Sequence, residues 1–159
     1  MTILPFARAA GPDTTRNYIG HLFTFLADAA ATGGAFSVVD ATVRKGLEPP
    51  AHTHTHEDET YLILDGQWRF TAGDQELEAG PGTLVFLPRG VQHAFSIDDD
   101  AARALILMNP AGLEAAFWEM SQPAERTSGL PDPPSGPPPV ARMLDVFGAR
   151  GVRFAPPQH

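Results

Sequence analysis

Three histidines occupy alternate positions from residue 52 to residue 56, and an acidic cluster that ends at Glu59 follows them directly. In an extended strand, alternate side chains point to the same face, so the imidazoles of His52 and His54 converge on one point. The carboxylate of Glu59 and the imidazole of His93 would add a third and a fourth ligand. Such a set of nitrogen and oxygen ligands suits a divalent transition metal.

The residues around these ligands resemble the two sequence motifs of the cupin superfamily. The first motif is matched at its usual spacing by Gly46, His52, His54, Glu59 and Gly66. The second motif is matched by Gly82, Pro88, Gly90 and His93. The last position of the second motif, usually asparagine, is Ile97 here, and this departure lies outside the ligand set. The resemblance covers about residues 35 to 110.

The resemblance implies an all-β fold, an antiparallel cupin (jelly-roll) barrel. It also implies that His52, His54, Glu59 and His93 bind one divalent metal ion per chain, and Mn, Fe, Co, Ni and Zn all accept these ligands. Within the superfamily, the chain is most similar to small bacterial single-domain proteins of the quercetin 2,3-dioxygenase-like type. That similarity implies a dioxygenase that uses O2 to cleave a flavonol-like or enolisable substrate, with Glu59 as the base.

Other functions stay open at this stage, because one fold serves many chemistries. The same metal site could act as a Lewis acid in an isomerase, a decarboxylase or a hydrolase. A non-catalytic protein could bind a metal or a small molecule without turnover. A 2-oxoglutarate-type oxygenase is the least favoured alternative, since those enzymes normally have Asp or Glu at the position of His54.

The remaining histidines and acidic residues near the motif have plainer interpretations. His56 continues the alternation but lies outside the family spacing, so we expect it near the site or on the surface. Glu57 and Asp58 are expected to be solvated neighbours of the acidic ligand, as charge clusters at strand ends usually are. His21 and His159 are expected to be structural or exposed.

Four apolar or aromatic residues share the strand parity of the ligands: Tyr61, Ile63, Phe95 and Ile97. If their strands are regular, these side chains line the same interior and form the expected substrate pocket. Core packing is the commoner reason for such residues. Both interpretations can hold, because a small barrel can bind a ligand at one end and pack its core at the other.

Composition excludes several classes of function. The chain has 159 residues, which predicts one domain over 1–159, and it has no cysteine, which excludes disulfides, thiolate ligands and iron-sulfur clusters. The net charge is -8 and no basic cluster is present, which argues against nucleic acid as a partner. The longest apolar runs are about five residues, too short to cross a membrane. We therefore expect a cytoplasmic location.

Turn-forming residues recur through the middle of the chain and separate short apolar segments. Strands are predicted at 18–26, 35–43, 61–64, 68–71, 84–87, 91–97 and 104–108. Short strands punctuated in this way are typical of an antiparallel sandwich or barrel, here with its core at about 35–110. Open strand edges need covering, and together with the family resemblance this predicts a homodimer built from barrel edge strands and terminal segments.

The extension 111–159 has a different pattern. Apolar residues at helical spacing predict two short helices, the first capped by Asn109 and the second over about 140–147. Between them, residues 130–139 include six prolines, which excludes a regular helix or a central strand. We expect an ordered extended connector on the surface, with a disordered segment as the alternative.

Overall fold

The computed structural model describes residues 2–156. In chain order, the elements of this part of the chain are β1 (Thr15–Tyr18), β2 (His21–Ala27), α1 (Ala29–Thr32), β3 (Ser37–Arg44), β4 (His52–His54), β5 (Asp58–Asp65), β6 (Trp68–Ala72), β7 (Gln75–Ala79), β8 (Leu84–Leu87), β9 (His93–Ile97), β10 (Ala101–Asn109), α2 (Glu114–Glu119), β11 (Gln122–Pro123), α3 (Val140–Gly148) and β12 (Val152–Phe154). No helix of residues 2–156 is long and apolar enough to cross a membrane.

The strands form two antiparallel sheets. The first has the order β11-β1-β2-β3-β10-β5-β8, and the second has the order β12-β4-β9-β6-β7. The predicted all-β antiparallel fold with short C-terminal helices is confirmed. The two hydrogen-bond ladders remain separate among the described strands, so the barrel is two facing sheets without a continuous closed ladder.

The core lies between the two sheets and follows the two-residue period of the strands. In β3, Val39, Ala41 and Val43 are buried and alternate with partly exposed residues. Trp68 and Phe70 of β6 supply large buried side chains from the opposite sheet. The alternation explains why the pattern of short apolar segments identified the central strands.

The turn after β5 requires glycine. Gly66 has a positive φ of 81°, a conformation that residues with a Cβ rarely adopt. A Cβ at this position would also lie 2.7 Å from the Cβ of Ala102 in β10. The conformation of the turn and its close approach to the neighbouring strand therefore both exclude a larger residue.

The helical extension differs from the prediction in one detail. The helix predicted to begin at Asn109 begins instead at Glu114, and Leu113 is its N-cap residue. Asn109 is the last residue of β10 and still pairs with Asp58 of β5. The sheet pairing therefore extends to Asn109, and the predicted N-cap is wrong. The second helix, α3, lies where it was predicted.

The two C-terminal helices contribute aromatic side chains to the core. Phe117 of α2 packs edge-on against Tyr18 and Phe23 of the first sheet. Phe147 of α3 contacts Phe117 and also Phe154 of β12. The helices thus connect the β1–β2 region of the first sheet to the β12 edge of the second.

The proline-rich segment 130–139 forms no helix or strand and is mostly exposed. It contacts the barrel through Pro131 and Pro134. Arg44 donates a hydrogen bond to the carbonyl oxygen of Pro131, and the ring of Pro134 packs beside Gly20. These contacts agree with the expected surface connector.

Candidate metal centre

The four predicted ligands come from three strands and meet in the interior. His52 and His54 lie on β4, Glu59 on β5 and His93 on β9. His52 pairs directly with His93 across the β4–β9 ladder. The exposed fractions of these residues are 8 % for His52, 3 % for His54, 2 % for Glu59 and 2 % for His93. The fold therefore brings the four side chains into one buried cluster.

Local sequence fixes the strand segments that carry the ligands. Pro49 and Pro50 precede β4 and favour extended backbone at its start. Gly90 has a positive φ of 81°, and its N–H donates a 2.8 Å hydrogen bond to the carbonyl oxygen of His54. The turn before His93 is therefore tied to the strand that carries the other two histidines.

The ligand atoms face one another at short distances. One nitrogen or oxygen atom from each of the four residues lies within 4.8 Å of the corresponding atom of every other. Glu59 Oε2 is 3.3 Å from His93 Nε2 and 3.5 Å from His54 Nε2. These three atoms are buried and have no hydrogen-bond partner. Because buried polar atoms without partners are costly, this donor set fits a bound metal ion.

The contact that each histidine makes through Nδ1 determines which ring nitrogen is free to bind a metal. His52 Nδ1 lies 2.8 Å from the carbonyl oxygen of Pro50, and His93 Nδ1 lies 3.1 Å from that of Val91. A carbonyl only accepts, so each Nδ1 carries the proton and each Nε2 keeps its lone pair for a metal. His54 differs, because its Nδ1 faces the carboxylate of Glu57 at 3.4 Å.

The surroundings of the cluster shift the pKa values of its histidines and of Glu59. Burial, and then the proximity of His93, lowers the pKa of His52 to about 4. Burial alone would raise the pKa of Glu59, but the close approach of His93 and the other two imidazoles lowers it to about 2. Burial opposes protonation of His54, yet Glu57 and Glu59 raise its pKa overall. Glu59 is therefore ionised at neutral pH.

The four predicted pocket residues lie on the strands that carry Glu59 and His93. Tyr61, Ile63 and Ile97 are buried, and Phe95 is partly buried against the core. The ring of Tyr61 packs at 6.0 Å from that of Phe95, and burial together with Glu59 raises the pKa of Tyr61 well above its usual value. These contacts establish core packing, and a role towards substrate stays a prediction.

The remaining polar residues have mixed outcomes. Asp58 is at the surface in an ion pair with Arg89, as expected, and His56 is exposed. Glu57 is only 4 % exposed, so its predicted solvation is wrong. The reason is that the chain turns between β4 and β5 and directs this side chain inwards. His21 is buried and structural, while His159 lies outside the described residues.

Sequence reasoning missed one element of the site. Strand β12 pairs with β4 in register, and Phe154 lies opposite His52 with ring centroids 5.7 Å apart. The N–H of Ala155 also donates a 2.7 Å hydrogen bond to the carbonyl oxygen of Ala51. Three residues give too short a pattern to identify a strand, and their partner lies about a hundred residues earlier.

Comparison with known sequences finds matches for the barrel core. Residues 39–108 match the family described as cupin domain. Over 94 residues the chain is 28 % identical to quercetin 2,3-dioxygenase from Bacillus subtilis (strain 168). That match covers 59 % of this chain and 28 % of the relative, so it spans little more than a quarter of the quercetin dioxygenase.

Solved structures share the fold at low identity. The structure of KdgF from Halomonas sp. superposes with a TM-score of 0.59 at 12 % identity, covering 69 % of this chain and 99 % of that one. Oxalate decarboxylase from Bacillus subtilis gives a TM-score of 0.57 at 18 % identity, covering 70 % and 31 % of the two chains. Such similarity establishes a common fold for proteins of different names.

Proposed function

This chain belongs to the cupin superfamily, and we propose that it is a metal-dependent dioxygenase acting on a small flavonol-like or enolisable substrate. The observation that carries the proposal is the buried cluster of three imidazoles and one carboxylate, whose ligand atoms lie within 4.8 Å of one another. The sequence similarity to a quercetin dioxygenase supports the choice of reaction. A cytoplasmic location is part of the same proposal.

His52, His54, Glu59 and His93 would hold one divalent transition metal. The ion would supply Lewis acidity towards a substrate hydroxyl and redox chemistry towards O2. The backbone carbonyls that accept from Nδ1 of His52 and His93 leave the Nε2 lone pair of each ring free to bind the metal. Four protein ligands leave room for substrate on a five- or six-coordinate ion.

Glu59 is the proposed base. Its carboxylate is ionised at neutral pH because its pKa is held at about 2. An ionised carboxylate in this position can accept a proton from an acidified substrate hydroxyl beside it. The buried surroundings of Glu59 exclude water and strengthen its interaction with the reacting group.

Aromatic and apolar side chains on the strands that carry the cluster suit a flat, largely apolar substrate. Tyr61, Ile63, Phe95 and Ile97 form the proposed pocket, and Phe154 adds an aromatic ring against His52. Such a lining is typical of small-molecule sites in which a few polar groups orient the ligand. A phenolic or enolisable ring compound fits both the lining and the base.

Two other functions compete with the dioxygenase. A Lewis-acid enzyme, such as an isomerase, a decarboxylase or a hydrolase, would use the same four ligands without consuming O2. A binding protein would hold the metal or a small molecule without turnover. Oxygen uptake therefore separates the dioxygenase from both alternatives.

The test begins with elemental analysis of protein purified without added metal, followed by reloading with Mn, Fe, Co, Ni or Zn. We expect the loaded protein to consume one O2 per quercetin molecule at an oxygen electrode. Glu59→Gln should lower turnover by about 10²- to 10⁴-fold after correction for metal content, because an amide cannot accept the proton. Glu78→Gln, on the exposed strand β7, is the matched control.

The dioxygenase assignment fails if metal-loaded protein takes up no oxygen with quercetin or with other enolisable phenols. A metal-dependent, oxygen-independent turnover in the same screen would instead support the Lewis-acid enzyme.

We also propose that the protein forms a homodimer through the outer face of its first sheet. Leu62, Leu84, Phe86 and Leu107 are 37 %, 61 %, 54 % and 36 % exposed. Leu62 of β5 pairs with Leu84 of β8. In a neighbouring row across the sheet, Thr60 of β5 pairs with Phe86 on one side and with Leu107 on the other. The four residues therefore form one continuous apolar surface, which we call the outer apolar face.

A second copy of the chain is the occupant that this face suits best. Side chains of this size have on the order of 200 Å² of surface each, so the outer apolar face exposes about 400 Å². Two such faces with their polar rims approach the ~1,200 Å² of a small stable interface. Strand β8 also lies at the edge of its sheet, where pairing or covering is needed.

A further inference from the structure

We propose that Glu57 is a positioning residue that orients His54 and strengthens it as a metal ligand. This role rests on the metal binding included in the proposed function. Glu57 lies outside the family motif that identified the four ligands, and its sequence position alone had suggested a solvated side chain.

The geometry of the pair points to this role. Glu57 Oε2 lies 3.4 Å from His54 Nδ1, and both residues are almost fully buried. Neither atom has another hydrogen-bond partner. A distance of 3.4 Å exceeds that of an ordinary N–H···O bond by a few tenths of an ångström, so a small adjustment closes the contact. Two buried polar atoms with only each other to satisfy them favour that adjustment.

The contact sets His54 apart from the other two histidines. His52 and His93 each place Nδ1 against a backbone carbonyl, whereas His54 places it against a carboxylate. A carboxylate behind a ligating histidine fixes the ring orientation, keeps the proton on Nδ1 and makes the other nitrogen a better donor. His54 Nε2, which faces Glu59, is thereby the most strongly donating nitrogen of the cluster.

The loop between β4 and β5 holds Glu57 in place. The N–H and the hydroxyl of Thr55 both donate to the carbonyl oxygen of Gly151, which anchors the start of the loop. Asp58 then turns outwards to Arg89 at the surface, so its neighbour Glu57 turns inwards under the imidazole. The inward position of Glu57 is therefore set by fixed contacts on both sides.

Charge balance provides a second reason for a carboxylate at this position. A divalent ion with Glu59 as its only anionic ligand carries an excess formal charge of one in a buried site, which is costly. A second carboxylate, in contact with one of the ligands, brings the formal sum to zero. Replacing Glu57 should therefore weaken metal binding even when the fold is intact.

The experiment measures Zn²⁺ affinity by competition with a chromogenic chelator. We expect Glu57→Ala to weaken the affinity by about 10- to 100-fold, the usual effect of removing such a partner. Glu57→Gln should fall between Glu57→Ala and the unchanged protein, because its amide oxygen still accepts from Nδ1 but carries no charge. Glu78→Gln, which removes an exposed carboxylate on β7, is the matched control and should leave the affinity within about twofold.

A spectroscopic signature separates positioning from a merely structural role. In NMR spectra of the Zn²⁺-loaded protein, the proton on His54 Nδ1 should resonate further downfield than those of His52 and His93, since its acceptor is a carboxylate. In Glu57→Gln, only the His54 signal should move upfield. A structural role would change the melting temperature and leave that signal in place.

The outcomes are distinct. Unchanged Zn²⁺ affinity in folded Glu57→Ala overturns the role of Glu57, as does failure of the unchanged protein to bind Zn²⁺. If Glu57→Ala does not fold, Glu57→Gln with unchanged affinity and an unmoved His54 signal gives the same negative answer. Weakened affinity combined with no oxygen uptake would support Glu57 and count against the dioxygenase alone.

Discussion

The four proposed ligand side chains are held by the fold in three different ways. His52 and His93 are oriented by backbone carbonyls, which ordinary substitutions of neighbouring side chains do not remove. His54 depends on another side chain, Glu57. Glu59 is approached by imidazoles and has no hydrogen bond that satisfies Oε2. Sensitivity to mutation around the site should therefore concentrate at His54 and Glu59.

Alanine substitutions should identify the ligands directly. His52→Ala and His54→Ala should each remove most of the bound metal, because each takes away a buried imidazole from a four-ligand set. His56→Ala should remove little, since His56 is exposed at the end of the run. Metal content per chain, measured by elemental analysis, checks both. Loss of the metal in His56→Ala with retention in His52→Ala would show that the histidine register is wrong.

His21 makes a separate prediction for acid stability. Its Nδ1 accepts from the N–H of Arg44 and its Nε2 lies 3.1 Å from the carbonyl oxygen of Leu47, so the ring is buried in its neutral form. Burial lowers the pKa of His21 to about 4. The unfolded chain binds the proton first, so stability is full above about pH 6.5 and falls as the pH drops towards 4.

Protonation linked to His21 should lower the free energy of unfolding by an amount on the order of 3 kcal/mol between pH 6.5 and pH 4. Urea unfolding of chelated protein at a series of pH values measures it. His21→Gln should be less stable at pH 8, because it loses contacts, but should show a shallower decline between pH 6.5 and 4. His52, whose pKa is also lowered to about 4, leaves a residual slope in the metal-free variant. An equal slope in both proteins would contradict the assignment.

At the scale of elements, the sequence predicted the strands whose alternation is strong. The apolar segments at 61–64, 68–71 and 84–87 correspond to β5, β6 and β8. Strand β7 was not predicted because Gln75–Ala79 is mostly exposed and largely polar. Strand β12 was not predicted because it is only three residues long and depends on pairing with β4.

The same physical reasons limited prediction of the site. The four residues of the cluster were predicted because the spacing within β4 and the family motifs fix their positions. Glu57 was misjudged because strand parity does not extend into the turn after His54. Phe154 carried no signal of its own, since its place beside His52 follows from a tertiary pairing.

Substitution of Gly151 tests whether the backbone before β12 is needed for the pairing of β12 with β4. Its φ of +82° is poorly tolerated by residues with a Cβ, and a Cβ there would approach Thr55 to 3.1 Å and the movable ring of His56 to 2.6 Å. Gly151→Ala should destabilise the protein by about 1 to 2 kcal/mol through backbone strain. It should also weaken metal retention by displacing β12 from β4.

Gly148→Ala is the control for this change, because Gly148 lies in α3 with open space around it. Thermal unfolding and metal content measure both variants. Equal behaviour of Gly151→Ala and Gly148→Ala would show that the attachment of β12 does not depend on the backbone at Gly151.

At the scale of the whole molecule, the outer apolar face predicts an oligomeric state. Phe86→Glu or Leu84→Glu should convert the proposed dimer to a monomer, because burying a carboxylate against an apolar partner is costly. Leu144→Glu, at an exposed position on α3, should leave the dimer intact. Light scattering after size-exclusion chromatography measures the mass. An unchanged protein that is monomeric at micromolar concentration would contradict the dimer.

The pairing of β12 with β4 predicts that metal binding protects the C-terminal segment from proteases. Strand β4 shares one residue pair with β9 but three with β12, so the two central histidines and the C-terminal segment are ordered together. An ion that binds the ordered form must suppress opening of that segment. Cleavage by trypsin after Arg150 or Arg153 should therefore accelerate when a chelator is added and slow again when metal is restored. The rate of trypsin cleavage would then measure how much of the protein has metal bound inside the barrel.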